Sequence, residues 1–234
     1  MTIAKAMHNI EKNLALVQNK IKQTARDFQR DPNKVTLLAV SKTKPVSDIE
    51  IAYHCGQRDF GENYLQEAEQ KIIALRDKNI IWHYIGPIQS NKTRKISELF
   101  DWVHSIDRLK IARRLSDERP ANNSPLNVLL QVNIDNEPAK SGIQLNEILS
   151  LAHQIAPLPR LKLRGLMAIP AIHKDPQQQR IPFAKMRQAL TELQQYCPDC
   201  DTLSMGMSED MQAAIAEGST LVRIGTAIFG ARTT

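Results

Sequence analysis

The stretch "VTLLAVSKTKP" (residues 35–45) ends a run of apolar β-formers in Ser41-Lys42 and sets a second lysine, Lys44, two residues on. An amine delivered from the end of a strand has a definite use, attack on an aldehyde carbonyl, and that requires the neutral form. Desolvation and a cationic neighbour such as Lys44 both lower an amine's pKa and favour that form. The alternative is a lysine that snorkels over the rim of the core, the commoner fate of an isolated one.

Two further stretches offer groups for an anion. "SMGMS" (residues 204–208) leads into a helical pattern whose N-terminal amides can receive an oxyanion, with the Ser208 hydroxyl as an added donor. "RIGTAIFG" (residues 223–230) offers the Gly225 and Thr226 amides with no bulky side chain in the way. The same residues also read as a helix N-cap and a strand terminator, and their chemistry alone weighs the two readings equally. A phosphate site together with a reactive amine suggests pyridoxal 5'-phosphate, which needs a Schiff-base lysine and a partner for its ring nitrogen. Arg223 lies two residues before Gly225 and so points to the same strand face. A guanidinium only donates, so it would keep the ring nitrogen unprotonated and weaken the ring as an electron sink. That tolerates proton transfer and suits demanding carbanion chemistry poorly.

The elements that must position these residues follow from periodicity. Ile10, Leu14, Val17, Ile21 and Phe28 mark one face of an opening helix. Strand patterns fall at 35–40, 58–60, 80–85, 102–106, 126–134, 161–169, 202–205 and 221–224, separated by helical patterns such as 65–76, 145–156 and 183–196. Ser47 with Glu50 reads as a capping box, Gly56 as a helix stop, Asp107 and Ser208 as further N-caps, and Gly218 as the end of the helix that Ser208 opens. Eight strand signals alternating with helices, without a linker, in 234 residues approach the roughly 250 residues of a closed barrel. The expected fold is therefore α/β, a single (β/α)8 TIM barrel over residues 1–234 with an N-terminal helix, in preference to an open doubly wound sheet. Barrels of this kind place chemistry at the C-terminal ends of their strands. There the chain has Ser41-Lys42, Asn63, Gly86-Pro87, Ser105, Asn133, Met167, Ser204 to Ser208 and Gly225-Thr226, with no facing carboxylate pair and no metal-ligand cluster.

Composition narrows the rest. Hydrophobic residues at 42% and charged residues at 24% are ordinary for a globular protein. No apolar run approaches a membrane span and the first residues do not resemble a secretory signal, so the expectation is a cytoplasmic protein without a membrane role. Three cysteines, an odd number, fit a reducing compartment. "CPDC" (residues 197–200) follows a helix, whereas a redox thiol wants a helix N-terminus. The net charge of +6 hints at an anionic partner, but the basic groups around Lys92 and Lys110 lie on helical patterns beside acids, and aromatics are only 5%, so nucleic acid is not the expected ligand. His83 and His104 fall inside strands and read as hydrogen-bonded core residues.

The stretches "LLAVSKTKP", "FGENYLQE", "WHYIGPIQSNK", "SGIQ", "RGLMAIP" and "LSMGMSEDMQAAIAEGSTLVRIGTAIFG" together resemble the pyridoxal phosphate homeostasis protein family over essentially the whole length. The resemblance implies a fold-type III barrel like the N-terminal domain of alanine racemase, with pyridoxal phosphate held as an imine on Lys42. Ser208, Gly225 and Thr226 would hold the phosphate, Arg223 would face the ring nitrogen, and Asn63 and Met167 would line the ring. Lys140 in "AKSG" resembles a secondary lysine near the entrance. Racemases of this fold type carry a further β-domain with an acid/base for the other cofactor face. The chain shows no counterpart, which implies a non-catalytic carrier in vitamin B6 and amino-acid homeostasis, a monomer whose partners are cofactor-requiring apoenzymes. The alternatives are a weak amino-acid racemase and a binding module for an apoenzyme or RNA.

Overall fold

The computed structural model describes residues 3–231, with side chains from Asn9 onward. The strand patterns become β1 (Thr36–Val40), β2 (Asp59–Glu62), β3 (Ile81–Tyr84), β4 (Trp102–Ile106), β5 (Leu126–Val132), β6 (Leu161–Ala168), β7 (Thr202–Ser204) and β8 (Leu221–Ile224). All pair in parallel with their chain neighbours, and β8 closes on β1 with Thr36 opposite Leu221 and Ala39 opposite Ile224. The expected (β/α)8 barrel is the fold. Around it run α1 (Ile3–Asp27), α2 (Val46–His54), α3 (Leu65–Ala74), α4 (Thr93–Leu99), α5 (Leu109–Glu118), α6 (Ile148–Ile155), α7 (Pro176–Tyr196), α8 (Met211–Ala216) and α9 (Thr226–Phe229).

Alternation along each strand separates two environments. Leu37, Ala39, Phe60, Trp82, Val103, Val128 and Val222 turn outward into one apolar layer shared with the helices. The intervening positions fill the barrel. There Leu38, Leu129 and Met167 share the space with His83, His104, Ser204 and Arg223, all at most 5% exposed. Barrel interiors are ordinarily filled by bulky branched residues, so this polar column is a departure.

Several helix ends differ from expectation. α1 buries Ile10, Leu14, Val17 and Ile21, but it stops at Asp27, and Phe28 beyond it is 42% exposed beneath the Arg180 guanidinium. Thr24 and Ala25 take the inward place in the last turn. Pro45 occupies the N-cap position of α2 and Arg108 that of α5, with no side-chain cap bond at either, so neither Ser47 nor Asp107 caps. α7 starts earlier than its apolar pattern, because Asp175 accepts from the Gln177 N–H and Pro176 stands in the first turn, where a missing donor costs nothing.

Candidate functional site

A cavity of about 360 Å³ lies at the C-terminal ends of the strands. Lys42, Asn63, Met167, Ser208, Arg223, Gly225 and Thr226 all line it. Residues from the ends of β1, β2, β6, β7 and β8 thus converge on one space.

Lys42 continues the inward phase of β1 beyond Val40, and both residues line the cavity. The backbone on either side of Lys42 is pinned from outside the barrel. Ser41 Oγ donates to Glu62 Oε1 at 2.6 Å, and the Ser41 carbonyl accepts from Lys71 Nζ at 2.8 Å. Thr43 holds φ at +63°, and its N–H donates to Glu67 Oε1 at 2.5 Å. A β-branched residue in that left-handed region costs about 1–3 kcal/mol, strain that persists only where the surroundings impose it. Lys71, 4% exposed, joins the two carboxylates by bonding Glu62 at 2.8 Å and Glu67. Burial pushes the Glu62 carboxyl up, against the pull of Lys71 and Ser41. Lys44, expected beside Lys42, instead donates to the Ala231 carbonyl at 2.7 Å and does not line the cavity.

Arg223 enters from β8 and is held by neutral acceptors of the neighbouring strands. Nη1 donates to the Ser204 carbonyl at 2.6 Å and to Ser204 Oγ at 2.7 Å, and Nη2 to the Ala168 carbonyl at 2.8 Å. Burial pulls the guanidinium down to about 10, with Asp210 acting the other way. It remains a pure donor at neutral pH.

The loop after β7 resolves the ambiguity over Ser208. α8 begins at Met211, and Asp210 takes the N-cap position with its Oδ1 turned back to accept from the Met207 N–H at 2.6 Å. Ser208 is therefore a loop residue on the cavity wall and not a cap. Gly206 makes the loop possible: its φ is +97°, and a Cβ there would lie 2.5 Å from that of Ala214. Across the cavity, Asn63 Oδ1 is buried and has no hydrogen-bond partner. Gly86 closes in behind Asn63, where a Cβ would lie 2.2 Å from the Asn63 carbonyl oxygen, and Ser105 Oγ fixes the Gly86 carbonyl at 2.6 Å. A buried acceptor without a donor, at the wall of a cavity, fits a ligand that brings one.

Other strand-end residues serve the scaffold. Asn133 ties the loop behind β5 to the Glu137 and Lys140 carbonyls at 2.8 and 3.2 Å. Lys140 pairs with Glu137 at 2.7 Å and lines an adjoining space of about 270 Å³ that shares Asn63, Ile85 and Ile169 with the main cavity. Sequence reasoning missed Ile169, Ile172 and His173 in the loop between β6 and α7, Gln179 of α7, and also Glu209 and Asp210. Their position behind a strand end was the available signal. Cys200 is buried, its thiol pushed up by that burial, the reverse of a redox cysteine. Among the described residues no group of three or more His, Cys, Asp and Glu is placed to hold a metal ion, and no helix is long and apolar enough to cross a membrane.

Comparison with known proteins points to one family. Residues 8–233 match the alanine racemase N-terminal domain. The chain is 56% identical over 229 residues to the pyridoxal phosphate homeostasis protein of Escherichia coli strain K12, covering 97% of this chain and 98% of that one. The structure of PipY from Synechococcus elongatus with pyridoxal phosphate bound superposes with a TM-score of 0.82 at 38% identity, over 94% of this chain and all of that one. Alanine racemase from Corynebacterium glutamicum shares the fold, with a TM-score of 0.70 at 19% identity over 95% of this chain and 60% of that one.

Proposed function

Because the chain belongs to the pyridoxal phosphate homeostasis protein family, built on the alanine racemase N-terminal domain, we propose that it holds pyridoxal phosphate in the upper cavity as a non-catalytic carrier. In this reading Lys42 supplies the amine for the cofactor's aldehyde, and Ser208 with the Gly225 and Thr226 turn receives the phosphate. Arg223 faces the ring nitrogen, and Asn63 and Met167 line the ring. When bound, the cofactor supplies an electrophilic carbon and a ring able to accept electrons. The observation that carries the reading is the convergence of all seven residues on one cavity. The donor-seeking Asn63 Oδ1 and the release of Ser208 from capping support it.

Arg223 is consistent with the carrier role. Its guanidinium is anchored on three acceptors from β6 and β7 and can hold a ring nitrogen only as a donor, an arrangement that tolerates proton transfer but suits demanding carbanion chemistry poorly. The cavity wall includes Ile172, 73% exposed, and Ile169, 41% exposed, apolar groups at the mouth suited to contact with an acceptor protein. Cofactor-requiring apoenzymes are the recipients in this reading, and the carrier works in the cytoplasm as a monomer formed by one barrel domain over residues 1–234.

Purified protein mixed with pyridoxal phosphate should develop an imine absorbance that Lys42→Ala abolishes, and no amino acid in a panel should be turned over. A wild type that stays colourless would sink the proposal. A weak racemase is the second reading, favoured by His173 and Glu209 in the cavity wall as acid/base groups besides Lys42. Lysine-dependent loss of optical activity from alanine would establish it in place of the carrier.

A further inference from the structure

The polar residues inside the barrel form a line with two ends. At the lower end, where the strands begin, a cavity of about 310 Å³ is lined by Asp59, His83, Trp102 and Arg164 among others. From there Asp59 Oδ1 lies 3.1 Å from His83 Nε2, His83 Nδ1 lies 2.9 Å from His104 Nε2, and His104 Nδ1 lies 2.9 Å from Ser204 Oγ. Ser204 Oγ accepts from Arg223 Nη1 at 2.7 Å, and Arg223 lines the upper cavity. Asp59 is 23% exposed, while His83, His104 and Ser204 are at most 1% exposed.

The direction of every bond in this line follows from its ends. A guanidinium only donates and an ionised carboxylate only accepts. With neutral rings, His83 must therefore carry its proton on Nε2 toward Asp59, which leaves Nδ1 to accept from His104 Nε2–H. His104 Nδ1 must then accept from the Ser204 hydroxyl. The hydroxyl proton points down the line, and the Ser204 lone pairs are left for Arg223. Reversing any one bond sets two acceptors or two donors face to face, a loss that burial makes costly.

We propose that Asp59, His83, His104 and Ser204 form a hydrogen-bond chain of fixed direction through the barrel, and that His83 and His104 are positioning residues for the cofactor-facing guanidinium of Arg223. The inference rests on the proposed function for the role of Arg223, while the chain itself does not depend on a cofactor. Burial, reinforced by the neighbouring charges of His83 and Arg223, holds His104 well below the usual imidazole range, in keeping with a neutral ring. Other charges bear on the line. Arg164 of β6 lies 4.9 Å over the Trp102 ring, which stacks on His83, and Asp201 pairs with Arg164 at 2.6 Å. Lys34 shares the lower cavity, and Asp210 stands beside Arg223 at the upper one.

The anionic end fixes that direction. An amide in place of the Asp59 carboxylate can donate to His83 Nε2, which puts the His83 proton on Nδ1, makes His104 Nε2 accept and sets the His104 proton on Nδ1, facing Ser204. Ser204 Oγ then accepts from both His104 and Arg223, and its own proton leaves the axis. The identity of the group at the lower cavity is thus read at the guanidinium.

Nitrogen-15 NMR of histidine-labelled protein without cofactor, at about pH 8, reports the tautomers directly. Both rings should carry the proton on Nε2, and in Asp59→Asn, which removes the anionic end, both should gain the Nδ1-protonated form together. A His104 proton on Nδ1 in the wild type, a His104 that ignores a change at His83, or tautomers unmoved by Asp59→Asn would overturn the proposal. In protein loaded with pyridoxal phosphate, the visible absorbance should shift with Asp59→Asn; a loaded protein whose band ignores the substitution would also overturn it. Failure to take up cofactor defeats the proposed function instead, and leaves the nitrogen spectra to judge the chain.

Discussion

Outside the sheet, Leu37, Phe60, Trp82 and Val222 pack with residues such as Phe100, just past α4, and Phe183 of α7 in a layer held by burial and shape. Inside, one residue along on the same strands, His83, His104, Ser204 and Arg223 are equally buried and each has a hydrogen-bond partner. The outer layer tolerates repacking at the cost of volume. The inner column tolerates little, because an orphaned buried polar group loses its whole partner. Stability and chemistry are thus assigned to opposite faces of the same eight strands.

The largest test of that division is Phe100→Ala. Phe100 is 1% exposed and meets Tyr84 edge-on at 5.2 Å. Its truncation should cost about 3–5 kcal/mol in denaturant unfolding. The absorbance of bound cofactor should be unchanged; a changed band would mean that the outer layer also shapes the site. Ser204→Ala makes the complementary cut. It strips one acceptor from Arg223 and the partner from His104 Nδ1, for about 1–3 kcal/mol. Here the cofactor band should move, and a band that stays put would erase the distinction between the faces.

Acid probes the inner column through His104. His104 is held low by burial, whereas the unfolded ring titrates at about 6.5. Below that value the unfolded chain binds a proton that the folded one refuses, so this contribution to stability is complete above about pH 6.5 and falls away toward the lowered folded value. Urea midpoints at about pH 7.5 and about pH 5.5 should differ, the acid one being lower, and the gap should shrink in His104→Gln. The smallest effect belongs to Phe28→Ala, whose ring is 42% exposed. It should fall within about 0.5 kcal/mol in the same unfolding assay. A larger loss would place Phe28 back in the outer layer, where its spacing predicted it.

Much of the candidate site was legible in the residues. Lys42, Asn63 and Gly225-Thr226 stand just behind strand patterns, Arg223 near the end of another, and closure of the barrel brings such ends together whatever the loops do. The mount of Lys42 was not legible in the same way. "FGENYLQE" contains Glu62 and Glu67, and Glu67 with Lys71 has helical i,i+4 spacing, but nothing local says that Lys71 is buried or that it bonds the Ser41 carbonyl. Ser208 failed as a cap for a comparable reason: Asp210 competes for the helix start, and only the path of the loop decides between them.

Strand and helix periods, and therefore the order of elements, the eightfold barrel and the residues at its rim, follow from the amino-acid sequence alone, because period and position along a strand are local properties. His83 and His104 read in the sequence as ordinary core histidines. That they join Asp59 to Ser204 across strands far apart in the chain was decided by closure of the barrel. Hydrogen-bond direction depends on which groups come within about 3 Å of one another, and no spacing along a chain encodes that.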